Sequence, residues 1–168
     1  MSDRRQALEA RLDALSAGFS GAFALYARNL GTGETIERRA DETFPTASTI
    51  KVFVLLELLR RVRQGAFSLD QTVPILAAQQ VGGSGVLKDL SAGLGMSLRD
   101  VATLMIVLSD NTATNVLIDL LGLEAINGTI ADLGLRTTRL LNRVDFEKVG
   151  DDVSRFAGSR GNLSTGVR

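Results

Sequence analysis

The chain has 168 residues, 45% of them hydrophobic and 23% charged, with 19 basic and 19 acidic side chains. That length favours one globular domain, able to bury about 70% of its unfolded surface without a disulfide or a metal. Neither cysteine nor histidine occurs, which excludes a thiol nucleophile, a Cys/His zinc site and any Ser-His-Asp triad. Acid–base chemistry then falls to Lys, Asp, Glu or Tyr, and the balanced charge argues against a nucleic-acid or anionic-membrane surface.

Asp3 to Leu15 carries Ala7, Leu8, Leu12 and Leu15 at helical spacing, which predicts a helix with one buried stripe, stopped by Gly18. Phe19 to Arg28 reads as a strand, Asn29 to Gly33 as a turn and Glu34 to Arg39 as the return strand of a hairpin. Asp41 to Thr46 is a loop. Ser48 to Gln64 is helical and apolar round nearly its whole circumference in the first three turns, the pattern of a central buried helix, ended by Gly65. From Leu69 onward the pattern is helices and short loops. Gly82 to Gly85 reads as a flexible turn, and Ser97 with Asp100 caps a helix over Leu98 to Leu108. Helices over Asn111 to Leu121 and Leu123 to Leu133 are closed by Gly122 and Gly134, and beyond Arg136 the pattern decays. The division expected is 1–45, a helix and hairpin, and 46–168, mostly helical.

The longest apolar runs, Val52 to Leu56 and Leu104 to Leu108, fall far short of the ~20 residues of a membrane-crossing helix. Met1 to Leu15 has no apolar core of a secretory signal, so the chain as written is expected to stay in the cytoplasm; a signal replaced by Met would look the same.

Sixteen of the basic residues are Arg and only three are Lys: Lys51, Lys88 and Lys148. Lys can lose its proton and Arg cannot. Surface solvation suffices for Lys88 and Lys148. Lys51, however, closes the run Ser48-Thr49-Ile50-Lys51, an S-x-x-K pattern that sets serine and lysine on one helix face. Unpaired amides and the helix dipole at that helix start favour an alkoxide on Ser48, and burial would lower the Lys51 pKa enough for it to act as base. A capping Ser with a snorkelling Lys is the plainer alternative. Ser109-Asp110-Asn111 lies between two helices; there Ser109 could relay a proton and Asn111 could hold Lys51 or a substrate amide. Asn111 also suits a helix N-cap.

Together the two motifs resemble the serine β-lactamase and penicillin-binding protein superfamily, class A β-lactamases in particular. The resemblance covers nearly the whole chain. It extends to Phe44 to Lys51, to Gly83-Ser84-Gly85-Val86-Leu87 at a cleft rim, to Ser97 to Asp100 and Ser109 to Asn115, and to Gly134 to Thr138 with Arg143. It implies an α+β, β-lactamase/transpeptidase-like fold, a helical subdomain plus an incomplete antiparallel sheet. It implies Ser48 as nucleophile, Lys51 and Ser109 as proton carriers, and Asn111 and Ser84 as substrate contacts. A small β-lactam or acyl-D-Ala-like substrate is implied, with no metal or organic cofactor and no nucleic acid or membrane partner. Family members are exported, which implies a periplasmic or secreted protein wherever a signal has been replaced.

Two departures qualify that picture. The family's third motif, K-T-G, is absent, so the chain is expected to be the N-terminal two-thirds of a longer product, with an unpaired sheet edge open to self-association. The Glu-x-x-Leu-Asn pattern after Arg143 is also absent; the sequence there is Arg143-Val144-Asp145-Phe146-Glu147-Lys148. By spacing, Asp145 takes the place of the carboxylate that activates deacylating water, with Glu147 the alternative; solvated loop residues are the plain reading of both. The expected function is a serine hydrolase opening β-lactams through an acyl-enzyme. A D,D-peptidase or small-ester hydrolase, or a non-catalytic piece of one, are the alternatives.

Overall fold

In the computed structural model residues 3–145 are described in full and 163–165 as backbone. The chain falls into two compact units, Met1–Thr43 with Thr165–Arg168, and Phe44–Ser164.

The first unit holds helix α1 (Asp3–Ala17) and an antiparallel hairpin of β1 (Leu25–Arg28) and β2 (Thr35–Arg38). The pairing runs from Leu25 opposite Arg38 to Arg28 opposite Thr35. The turn is built by Asn29, whose side-chain Oδ1 accepts from the Gly31 and Thr32 amides at 2.9 and 3.1 Å. The strand expected from Phe19 forms only over its last four residues. The buried stripe expected on α1 is not found. No residue of the helix is buried, and Leu15 is 70% exposed. A hairpin of four-residue strands has too small a face to cover a four-turn helix. One ion pair, Arg38 to Asp13 at 2.8 Å, ties the two elements.

A short strand β3 (Thr43–Pro45) follows. The second unit carries the apolar core. A 3₁₀ turn (Ala47–Ile50) leads into α2 (Lys51–Arg63), followed by the strand pair β4 (Thr72–Pro74) and β5 (Gly95–Ser97) and by α3 (Leu98–Val107), α4 (Asn111–Leu121) and α5 (Leu123–Asp132). A last strand, β6 (Leu163–Thr165), pairs with β3. Helices with small antiparallel sheets make this an α+β fold. The β4–β5 ladder, absent from the expected elements, is three residues long and carries Pro74 and Gly95 at one end, so its sequence shows no strand alternation. Ser97 caps α3 as expected, accepting from the Asp100 amide at 3.1 Å.

α2 is not the central buried helix. It buries Val54 and Leu58 together with Lys51 and Glu57, whereas Val52, Leu56 and Leu59 are 47%, 39% and 43% exposed. The central place belongs to α4, which is buried from Asn111 to Ile118 and packs against α2, α3 and α5. Its first turn is polar, and each buried polar side chain there is hydrogen-bonded, which is what lets it stay inside. Asp110, not Asn111, is its N-cap, accepting from the Ala113 amide at 2.9 Å. Gly122 ends α4 at φ 83°, a left-handed conformation that a residue with a Cβ resists, and at once begins α5. Among the described residues no helix is long and apolar enough to cross a membrane.

Candidate active site

Four of the expected site residues converge inside the second unit. Lys51, in the first turn of α2, is only 3% exposed. Its Nζ donates to the Ser109 carbonyl at 2.5 Å, to Ser109 Oγ at 2.9 Å and to Asn111 Oδ1 at 2.9 Å. An ammonium has three hydrogens, and these three acceptors use all of them. Ser109 Oγ in turn donates to Ser48 Oγ at 2.8 Å. The structure therefore links Ser48 to Lys51 through Ser109, where the i, i+3 spacing predicts a direct pairing. Burial pushes the Lys51 amine below its ordinary pKa, and the charge of Asp110 pulls it partly back. Protonated, Lys51 holds the cluster together; neutral, it can take the Ser48 proton by way of Ser109.

Backbone strain marks both serines. Ser48 lies in the 3₁₀ turn, not in the α-helix expected, directly after Ala47 at φ 44°; Ser109 itself is at φ 53°. Non-glycine residues in this region cost of order 1 kcal/mol or more each and persist where the surroundings demand them. Here the Lys51 bonds to Ser109 supply the demand on that side.

Asn111 is 5% exposed, and its Nδ2 donates to the Gly82 carbonyl at 3.2 Å while its amide donates to the Ser84 carbonyl at 3.0 Å. The rim loop is thus held to the site, and the Ser84 side chain is exposed on it.

Asp145 lines a cavity of about 990 Å³ with Gln80, Gly82, Asn115 and Val144. Asn115 clamps the chain just before it, accepting from the Val144 amide at 2.8 Å and donating to the Val144 carbonyl at 3.0 Å. Arg143 adds a bond to the Ala78 carbonyl at 2.6 Å and an ion pair with Asp119 at 3.4 Å. The hydrogen bonds described for Ser48, Lys51, Ser109 and Asn111 do not include Asp145. Glu147 and Lys148 lie outside the described residues.

Asp110 and Asn115 were assigned no role by sequence reasoning. The signal for each is faint: Asp110 is the middle residue of the Ser109-Asp110-Asn111 run, and Asn115 is one of several polar residues in the first half of α4.

A family model described as "Beta-lactamase enzyme family" matches residues 7–166. Beta-lactamase AST-1 of Nocardia asteroides is 37% identical over 132 residues, 78% of this chain and 41% of that one. A beta-lactamase from Sphaerobacter thermophilus, known as a crystal structure, is similar with a TM-score of 0.81 at 34% identity, covering 95% of this chain and 57% of that one. PBP-A is similar at the same TM-score, 0.81, and 27% identity, covering 95% of this chain and 57% of that one; a point mutant of PBP-A has been solved as an acyl-enzyme complex with penicillin G. The chain spans about two-fifths of AST-1 and somewhat over half of the two solved structures.

Proposed function

The chain belongs to the beta-lactamase enzyme family, and we propose that it opens β-lactam rings through an ester formed on Ser48. The observation that carries this reading is the continuous hydrogen-bonded line from Ser48 through Ser109 to the buried Lys51. Neutral Lys51 draws the Ser109 proton as Ser109 draws that of Ser48. Ser48 Oγ attacks the lactam carbonyl carbon, the ring C–N bond breaks, and the proton returns along the same line to the leaving nitrogen. The Ser48 amide, at the start of a helical turn, meets the developing oxyanion. Asn111 and Ser84 hold the substrate's amide side chain. Release of the acyl group needs a base for water, a task this reading gives to Asp145, or to Glu147. An Asp is one methylene shorter than a Glu, and a misplacement of about 1 Å can cost a hundredfold, so deacylation is the slow step.

A D,D-peptidase or small-ester hydrolase would use the same three groups, and the likeness to PBP-A favours keeping it as the second reading. Intact-mass spectrometry after exposure to benzylpenicillin tests the shared step. One penicillin should add to the chain without loss of atoms, and Ser48→Ala should abolish the adduct. Asp145→Asn should lengthen the adduct's lifetime. A chain that takes up no penicillin, or takes it up at another residue, overturns the proposal; turnover of a chromogenic cephalosporin against that of a simple ester separates the two substrate readings.

A further inference from the structure

We propose that Gln79 is a positioning residue for Asp145: one buried glutamine holds the two α4 side chains that in turn hold the chain immediately before Asp145. This deepens, and rests on, the reading of Asp145 as the base for deacylating water. Gln79 ends the 3₁₀ turn Ala77–Gln79 and is 6% exposed. Its Oε1 accepts from the Leu76 amide at 2.9 Å, and its Nε2 donates to Asp119 Oδ2 at 3.0 Å. A backbone amide only donates and a carboxylate only accepts, so the side chain has one orientation. Leu76 has no side-chain oxygen to cap the turn, and Gln79 closes it by reaching back to the Leu76 amide. The Gln79 carbonyl accepts from Asn115 Nδ2 at 3.2 Å.

Asn115 and Asp119 stand four residues apart in α4 and so share a face of it. Each takes one of two consecutive residues. Asp119 Oδ1 pairs with Arg143 Nε at 3.4 Å, while Arg143 Nη2 donates to the carbonyl of Ala78, next to Gln79, at 2.6 Å. Asn115 bonds both backbone groups of Val144, at 2.8 and 3.0 Å. With its bond to Gln79, both Nδ2 hydrogens of Asn115 are used. The side chains of Arg143 and Asp119 are 38% and 34% exposed, and an ion pair so open to water holds a geometry weakly by itself. The Gln79 bond reaches Asp119 from the buried side and fixes which carboxylate oxygen meets Arg143. Asp145 follows Val144 directly and lines one cavity with Gly82, whose carbonyl accepts from Asn111 at 3.2 Å. The bonds that join Ser48, Ser109 and Lys51 involve neither Gln79 nor Asp119. A change at Gln79 therefore acts on loss of the acyl group and not on its formation.

The test reads formation and loss of the benzylpenicillin adduct separately, by intact mass, in the full chain. Gln79→Glu keeps the acceptor for the Leu76 amide but sets a second carboxylate against Asp119. It should lengthen the adduct's lifetime about tenfold and leave the formation rate within about twofold. The double variant Gln79→Glu/Asp119→Asn turns the hydrogen bond round, with position 119 now donating, and should return the lifetime to within about threefold of the parent's. An unchanged lifetime in Gln79→Glu, or formation slowed as much as loss, overturns the proposal. A double variant no better than Gln79→Glu overturns it too, because the hydrogen bond is then not what matters. Asp145→Asn separates the two claims. If its lifetime is that of the parent, the base reading fails and the role of Gln79 fails with it; if it is lengthened while that of Gln79→Glu is not, Gln79 alone is overturned. If the chain takes up no penicillin, the serine reading fails, and the Val144 amide decides whether the chain before Asp145 is held. In the unsubstituted chain that amide should exchange at least ~100-fold slower than in an unstructured peptide, and about tenfold or more faster in Gln79→Glu. Exchange at the peptide rate in the unsubstituted chain overturns the proposal whether or not the variants fold.

Discussion

Lys51 shows what a single residue contributes when its surroundings remove water. Its amine lies well inside the second unit and gives all three hydrogens to groups 58 to 60 positions away in sequence. The S-x-x-K spacing makes Ser48 and Lys51 legible as a pair, because i and i+3 share a helix face. It could not reveal that Ser109 stands between them, since a spacing along one helix carries no information about what another segment inserts. Burial lowers the Lys51 pKa against the opposing pull of Asp110, so the amine form becomes available below the ~10.4 of a free lysine. Penicillin uptake should therefore rise with pH along a limb with its midpoint below that value. Lys51→Arg keeps the positive charge and removes the base, because guanidinium does not release its proton at neutral pH. Uptake by that variant should fall about a hundredfold or more, read as the rate of adduct formation by mass. A variant acylated at the original rate would show Lys51 to be only a fixed charge.

At the level of elements, α2 and α4 exchanged the places their patterns suggest. The apolar circumference of α2 reads as central, yet its Val52, Leu56 and Leu59 stripe is exposed, while the mixed sequence of α4 is buried because Asp110, Thr112, Thr114 and Asn115 find partners. Composition along one helix records how much apolar surface it has, not which neighbours arrive to cover it. The same limit hid Glu57. It is fully buried on α2 and receives Arg60 at 2.6 Å, Arg61 at 2.7 Å and, from α5, Thr129 Oγ1 at 2.5 Å. Burial alone would raise its pKa; the hydrogen bonds from Arg60, Thr129 and Arg61 outweigh it and hold the carboxyl at about 2. A folded-state pKa below the unfolded value, about 4.3, adds stability that is complete above the unfolded value and is lost as pH falls toward about 2. Glu57→Gln should cost about 1–3 kcal/mol at neutral pH, and the gap to the parent chain should narrow between those two values. Urea unfolding at a series of pH values measures it; a gap independent of pH would mean that Glu57 acts through packing alone.

Across the whole chain the core is unevenly shared. Every residue of the main apolar cluster falls between Ile50 and Leu140, in the second unit. Among the described residues of the first unit only Ala40 is buried. The hairpin was readable from its Asn-Leu-Gly-Thr-Gly turn, and the helices of the second unit from their glycine stops, because both signals are local. The distribution of burial between the units was not, since it depends on contacts between distant segments. It carries a consequence for stability. A two-stranded ribbon with little buried surface is marginal on its own, and opening free energies within one protein range from near zero to the global value. Native-state hydrogen exchange should therefore resolve two classes. Amides of the β1–β2 ladder, such as those of the facing pair Ala27 and Ile36, should exchange at least ~100-fold faster than those of Val116 and Leu117, which are 3% and 0% exposed in α4. Small additions of denaturant should leave the hairpin rates nearly flat and raise the α4 rates, because only global opening exposes α4. The site built from Ser48, Lys51, Ser109 and Asn111 lies wholly in the second unit and should keep the slow class. A single exchange free energy shared by the hairpin and α4 would show instead that the two units unfold together.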